Sequence, residues 1–220
     1  MRSALGLSLH TGWAVAVIVA GAPSAPEVVL RRRVPLVDDS LPRQVYHAAA
    51  DLPAGDAEEL VRKVERSAIE MAAREVAAVR DDAVALGHAP AIVAVCAEPR
   101  DVPTDVQRIV ANHTLIHSAE GDLYREAVEA ATESLGLPLV QVDAKRVPAE
   151  VTDRLGLSPD RQRALVATLG RELGPPWQAD HKQATLLALV ALAEIGDSPP
   201  VGRTRGVTTR PRELRRRAGR

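Results

Sequence analysis

The fold is decided by residues 5–19, LGLSLHTGWAVAVIV, where two apolar runs flank the pair Thr11-Gly12. A Thr-Gly pair between two apolar runs is typical of a tight turn between strands. We therefore predict that the chain opens with two strands joined as a hairpin. Ser8 is a polar residue within the first strand, and the functional interpretation depends on it.

Apolar patterns beyond the hairpin predict three more strands and a series of helices. Strands are expected at 27–37, 91–97 and 139–142. Helices are expected at 57–86, 118–135, 149–155 and 158–173, and from residue 179 onward. The continuous apolar run at 91–97 is typical of a strand buried on both faces. This order of elements predicts an α/β fold.

The composition limits the classes of function. Hydrophobic residues make up 46% of the 220 residues, enough for a sizeable core. Phe is absent and only two Trp and two Tyr occur, so modules that bind nucleic acid by stacking bases on aromatic rings are not expected. The single cysteine, Cys96, excludes an intramolecular disulfide and a zinc site built from several cysteines. One cysteine also fits a reducing compartment, and we expect a cytoplasmic protein.

Charge is unevenly distributed along the chain. The net charge is -1, yet residues 201–220 hold eight Arg and one Glu. We predict a folded domain at 1–197 and a Pro/Arg-rich basic tail at 198–220. The tail is expected to be either a disordered, solvated segment or a contact for nucleic acid through Arg215, Arg216 and Arg217.

The N-terminal apolar run also resembles a secretory signal peptide, which is an alternative to the hairpin. His10, Thr11 and Gly12 interrupt the run, and residues 13–22 are fewer than the ~20 that a membrane helix needs. We therefore expect no membrane association.

The C-terminal half resembles a known family. The matching stretches are residues 136–147 and 160–173, Pro175-Pro176, and residues 180–189. They resemble the same region of RuvC-type Holliday junction resolvases, which belong to the ribonuclease H-like superfamily. The resemblance implies a five-stranded mixed sheet flanked by helices, DNA or RNA as a partner, a homodimer, and Mg²⁺ or Mn²⁺ as cofactor.

The resemblance also assigns positions to a carboxylate site that would hold two divalent ions. Ser8 occupies the first position, Cys96 or Glu98 the second, Asp180 the third and Gln183 the fourth. If a metal is bound, Glu98 and Asp180 are the expected ligands and the activity is that of a divalent-metal-dependent nuclease. Serine and glutamine carry no charge, so we predict a degenerate site.

Other polar residues offer a different site. His113, His117 and Glu120 come at the start of the second long helix, near the carboxyl end of the strand at 91–97. Ligands usually bind at this end of an open α/β sheet. His117 and Glu120 are candidate catalytic residues, as is Lys182 beside Asp180, and His10 is expected to join them. The competing interpretation is that these are solvent-facing, capping or ion-paired surface residues.

Three functions follow. The first is a nucleic-acid-associated protein with altered or lost nuclease activity. The second is a non-catalytic protein-interaction scaffold on the same fold. The third, a phosphotransferase of the actin and sugar-kinase group, shares the opening hairpin, but the chain is too short for the two copies of the domain that those proteins contain.

Overall fold

The structure is a computed structural model that describes residues 2–98 and 101–197. The predicted tail at 198–220, with Arg215, Arg216 and Arg217, lies outside the described residues. The strands are β1 (Ser3–His10), β2 (Trp13–Ala22), β3 (Ala25–Pro35), β4 (Pro90–Cys96) and β5 (Leu139–Val142). The helices are α1 (Val45–Ala49), α2 (Ala54–Ala85), α3 (Val106–Val110), α4 (His113–Ser134), α5 (Val147–Leu155), α6 (Pro159–Leu173) and α7 (Ala179–Asp197).

The strands form one mixed sheet in the order β3-β2-β1-β4-β5. β1 and β2 are antiparallel with Ser8 opposite Val15, and β3 continues the antiparallel half. β4 lies parallel to β1 on one side and to β5 on the other. The opening hairpin and the five-stranded mixed sheet are therefore confirmed, and so is the interior position of β4.

Helices cover both faces of the sheet. The first face packs on α1, α2 and α4 through residues such as Leu5, Leu7 and Val95. The second face packs on α5, α6 and α7 through Val17, Ala94 and other aliphatic residues. Nothing in the described ranges combines the length and apolar character that a membrane-spanning helix requires.

Gly6 sets the distance between β1 and α7. A Cβ atom at this position would lie 1.9 Å from the Ala184 carbonyl oxygen and 2.7 Å from the Ala188 nitrogen. The backbone of α7 therefore rests directly on the backbone of β1. Side chains alternate across a strand, so Ser8 points to the same face as Gly6 and meets α7 one step further along.

Three helical segments differ from the sequence-based expectation. α1 lies between the predicted strand at 27–37 and the predicted helix at 57–86, and α3 lies in the segment before residue 118. α4 begins at His113 rather than at Ser118 because Asn112 is its cap, accepting hydrogen bonds from the Thr114 and Leu115 N–H groups. The earlier start places both histidines of this segment on the helix.

Candidate functional site

Five polar side chains meet where β1 and β4 end, and we call them the β1–α7 cluster: Ser8, His10, Cys96, Asp180 and Gln183. Ser8 and His10 share a face of β1, and Asp180 and Gln183 share a face of α7 because they are three residues apart. Ser8 bonds to Gln183 and His10 bonds to Asp180. Two polar contacts thus connect the first strand to the last helix.

The inner part of the cluster is a chain of hydrogen bonds. The Ser8 hydroxyl donates to Gln183 Oε1 at 2.8 Å, and Gln183 Nε2 donates to Cys96 Sγ at 3.3 Å. Ser8 is buried, with 1% of its surface exposed. The amide of Gln183 uses its oxygen as an acceptor and one of its N–H groups as a donor, so each of the three side chains has a hydrogen-bond partner within the cluster.

Cys96 is a neutral thiol at ordinary pH. Burial raises its pKa from the usual 9.0 to about 11, and the nearby charges of Asp143 and Glu98 act in the same direction. The hydrogen bond from Gln183 acts in the opposite direction but is outweighed. A thiol in this state is a poor nucleophile and a poor metal ligand, because both roles need the thiolate.

The outer part of the cluster reaches solvent. His10 Nε2 and Asp180 Oδ1 are 2.8 Å apart, with side chains 39% and 25% exposed. The His10 ring stacks on Trp13 at a centroid distance of 4.1 Å. The Arg33 guanidinium lies over the same indole ring, 4.0 Å from its centroid. Asp180 is therefore held by His10, which is itself held by stacking.

The remaining predicted residues of this region lie close by. Lys182 is exposed on α7, and among the described residues its side chain has no hydrogen bond or ion pair, so the ion pair with Asp180 is not formed. Glu98 is half-buried two residues beyond β4, near enough to Cys96 to raise the thiol pKa.

A groove of about 270 Å³ lies beside the cluster. Its lining includes Trp13, Asp180 and His181 with the three consecutive arginines of β3. The Arg31 guanidinium donates to four successive backbone carbonyls, those of Leu173, Gly174, Pro175 and Pro176. Burial and the Arg31 charge lower the pKa of His181, so this imidazole is neutral at neutral pH.

A second polar cluster lies on the opposite face of the sheet, where α1 meets the start of α4. It consists of His47, His113, His117 and Glu120, and we call it the histidine cluster. His113 and His117 are one turn apart, with their Nε2 atoms at 3.0 Å. The His47 ring meets both of them edge to face, at centroid distances of 5.6 and 4.9 Å. His10, Asp180 and Lys182 do not belong to this group.

Buried neighbours support the histidine cluster. Glu120 is 2% exposed, and its Oε1 is 2.9 Å from His47 Nδ1 and 3.3 Å from the His47 backbone nitrogen. One turn further along α4, the Tyr124 hydroxyl donates to the Arg43 carbonyl at 2.7 Å and fixes the segment before α1. The face of α4 that carries Glu120 and Tyr124 thus also determines where His47 lies.

Comparison with known proteins gives a match in structure alone. No family model and no curated protein matches the sequence. Thermus thermophilus RuvC is 13% identical with a TM-score of 0.49, over 90% of this chain and 99% of that chain. T. thermophilus RuvC in complex with a Holliday junction substrate is 12% identical with a TM-score of 0.50, over 89% of this chain and 96% of that chain. The fold is RuvC-like.

The donor set of the β1–α7 cluster does not fit a pair of hard divalent ions. At the positions that the RuvC-like resemblance assigns to carboxylates, the cluster has the Ser8 hydroxyl and the Gln183 amide. At the position assigned to Cys96 or Glu98 it has a neutral thiol, and Glu98 lies two residues further along. Mg²⁺ and Mn²⁺ select oxygen ligands and need carboxylates to balance their charge. Asp180 supplies one such group and is already bonded to His10. No step of a two-metal reaction can be derived from these residues.

Sequence reasoning missed His47, which completes the histidine cluster. His113, His117 and Glu120 follow one another at helical spacing, and that spacing is a signal within one segment. His47 lies 66 residues before His113, in the segment between the predicted strand at 27–37 and the predicted helix at 57–86. Three alanines follow His47, and Val45 and Tyr46 precede it; this is the weak helical signal that could have placed it.

Proposed function

We propose that this RuvC-like protein binds nucleic acid and has lost the two-metal cleavage that the resemblance implies. The observation that supports the loss is the Ser8–Gln183–Cys96 hydrogen-bond chain. Ser8 and Gln183 occupy two of the four assigned carboxylate positions, and Cys96 is one of the two residues assigned to a third, Glu98 being the other. The side chains of Ser8, Gln183 and Cys96 are uncharged and are hydrogen-bonded in series. Asp180 is left as a carboxylate paired with histidine rather than as one member of a metal-binding set.

The proposed nucleic-acid contact is the groove beside Trp13. Arg33 is exposed, and within the described part of the chain its guanidinium has no carboxylate partner and lies over the Trp13 ring. Arg31 is occupied by backbone carbonyls and Arg32 by Asp82 of α2, at 2.8 Å. Arg33 is thus the arginine of β3 that remains available for a phosphate. One structure with the same fold is a RuvC complex with a Holliday junction.

The test compares binding and cleavage on the same substrates. The full-length protein is mixed with a labelled four-way DNA junction, or a linear duplex of the same sequence, with and without Mg²⁺ or Mn²⁺. We expect salt-dependent binding and no cleavage. Metal-dependent cleavage that Asp180→Ala abolishes would overturn the loss of activity.

Matched arginine variants locate the contact. Arg33→Ala is expected to weaken binding roughly fivefold to tenfold and to lower the salt-dependence slope by about one. Arg163→Ala is the control, because Arg163 is also exposed but is paired with Asp160 on α6. Equal effects of the two substitutions would place the contact elsewhere, and absence of binding at low salt would favour the scaffold alternative.

The exposed apolar residues of α2 bear on the scaffold alternative. α2 exposes the apolar side chains of Ile69 and Val84, each about half accessible, and Leu86 follows the helix. Ile69 and Val84 are about 22 Å apart along the helix axis, so they do not form a single patch. Sedimentation of the purified protein measures its state of association and so tests both this alternative and the homodimer that the resemblance implies. The cytoplasmic location stays a prediction.

A further inference from the structure

The histidine cluster has no role in the proposed function, and its geometry is unusual for surface residues. Three imidazole rings from two separate segments meet edge to face, with interplanar angles of 62°, 83° and 84°. Each ring offers a nitrogen within 4.8 Å of a nitrogen of each of the others. In the described ranges, this is the group of His, Cys, Asp and Glu side chains close enough to hold one ion.

We propose that His47, His113 and His117 bind one divalent transition-metal ion of the zinc type, with Glu120 orienting His47. Three imidazoles are a ligand set that Zn²⁺ accepts, with its fourth position taken by water. The inference does not depend on nucleic-acid binding or on the β1–α7 cluster.

The spacing of the nitrogens fits such an ion. Zn²⁺ binds imidazole nitrogens at about 2.0–2.1 Å in a tetrahedral arrangement, which separates two of them by about 3.3 Å. The Nε2 atoms of His113 and His117 are 3.0 Å apart, so a shift of a few tenths of an ångström suffices. The two residues are four apart on α4, the spacing by which one helix face presents two histidines to a metal.

The contact between Glu120 and His47 determines which nitrogen of His47 is available to bind a metal ion. A carboxylate oxygen accepts hydrogen bonds, so the His47 Nδ1 that lies 2.9 Å from it carries the proton. His47 Nε2 then has the lone pair and can bind a cation. Carboxylates orient metal-binding histidines in this way and are usually needed for full affinity.

Burial and charge favour the same interpretation. Glu120 is 2% exposed, and within the described residues its carboxylate accepts hydrogen bonds from His47 and from no Arg or Lys side chain. A buried carboxylate is costly without a compensating positive charge. A divalent ion bound to His47 would supply that charge through the imidazole. Since His113 and His117 are exposed, the ion would also be reachable from solvent.

The experiment uses the full-length protein, freed of metal with EDTA and dialysed. Titration calorimetry with Zn²⁺ is expected to give one ion per chain, while Mg²⁺ is expected to give no binding here because it prefers oxygen ligands. Titration with Co²⁺ is expected to give the visible absorption of a four-coordinate ion without a thiolate band. No Zn²⁺ uptake by the folded wild-type protein would overturn the proposal.

Variants locate the site. His113→Ala with His117→Ala is expected to lower Zn²⁺ affinity at least ~100-fold, and Glu120→Gln about 10-fold to 100-fold. His10→Ala and His88→Ala are the controls, since both remove a histidine outside the cluster and are expected to leave the affinity unchanged. Circular dichroism checks that each variant is folded. Unchanged affinity in the double variant, or loss in the His10 control, would contradict the assignment.

Discussion

The β1–α7 cluster and the histidine cluster lie on opposite faces of one sheet and use their polar atoms in opposite ways. In the first, Ser8, Gln183 and Cys96 satisfy one another, and Asp180 is paired with His10. In the second, each of three imidazoles offers a nitrogen within 4.8 Å of the other two, beside a buried carboxylate. The difference shows that the position of a polar residue in a fold is weaker evidence for a ligand than whether its lone pairs are already used.

Gly6→Ala is expected to have the largest effect on stability, because the added methyl group would push β1 and α7 apart. The new Cβ would meet backbone atoms of α7, which cannot rotate away, and we expect a loss of about 4 kcal/mol in the free energy of unfolding. Urea denaturation measures this loss. Gly121→Ala is the matched control on α4, where a Cβ meets nothing within 4 Å, and it is expected to stabilise by about 0.5–1 kcal/mol. Similar results for both variants would mean that α7 does not rest on Gly6.

The double variant Ser8→Asp with Gln183→Asp adds two carboxylates to the β1–α7 cluster beside Asp180. Without metal, buried like charges beside Asp180 are expected to cost about 3 kcal/mol of stability. Mg²⁺ is expected to raise the melting temperature of this variant and not that of the wild type, which differential scanning calorimetry can compare. A wild-type protein stabilised equally by Mg²⁺ would mean that its own residues already hold the ion.

Alkylation of Cys96 tests whether its thiol is neutral in the folded protein. With a pKa of about 11, the thiol is expected to react with iodoacetamide about 100-fold more slowly at pH 7.5 than an ordinary cysteine. The rate should rise about tenfold per pH unit until the pH approaches 11. The folded pKa is raised, so the stabilisation linked to this thiol is full below pH 9 and is lost as the pH rises toward 11.

The urea-unfolded protein is the reference for this measurement, because Cys96 is the only cysteine. Gln183→Leu removes the hydrogen bond that lowers the thiol pKa, and it should slow alkylation further. A folded protein that reacts as fast as the unfolded chain would contradict the raised pKa.

Ser8→Ala is expected to have the smallest effect. It removes one hydroxyl and leaves Gln183 Oε1 without its donor, which costs about 1 kcal/mol in the free energy of unfolding. Ser118→Ala on α4 is a suitable comparison, since its hydroxyl bonds to a helix carbonyl and its loss is expected to change stability by less than 0.5 kcal/mol, roughly. Equal stability losses for the two variants in chemical denaturation would show that the hydrogen bonds joining Ser8, Gln183 and Cys96 contribute little to stability.

Much of the fold could be predicted because its signals are local. The hairpin follows from two apolar runs around Gly12, and α6 follows from Ser158, which caps it by accepting the Arg161 N–H. β5 has the bounds that its apolar run predicts. α1 and α3 were missed because five residues carry too little periodicity, and their stability comes from packing on distant segments.

The candidate site could be predicted only in part, for the same reason. Asp180 and Gln183 are on one helix face by spacing alone, and so are His117 and Glu120. The partners that give them meaning, His10 and His47, are brought to them by the tertiary fold across 170 and 73 residues. Distances of this kind depend on sheet order and helix packing, which a single sequence does not specify.

The four carbonyls held by Arg31 have a consequence for how the chain assembles. They belong to the connection between α6 and α7, while Arg31 lies on the edge strand β3, 142 or more residues earlier. Contacts between such distant segments close large loops, and the entropy of that closure opposes them. This guanidinium therefore reaches its acceptors only when both ends of the domain are in place, so the contact depends on the fold of the whole domain.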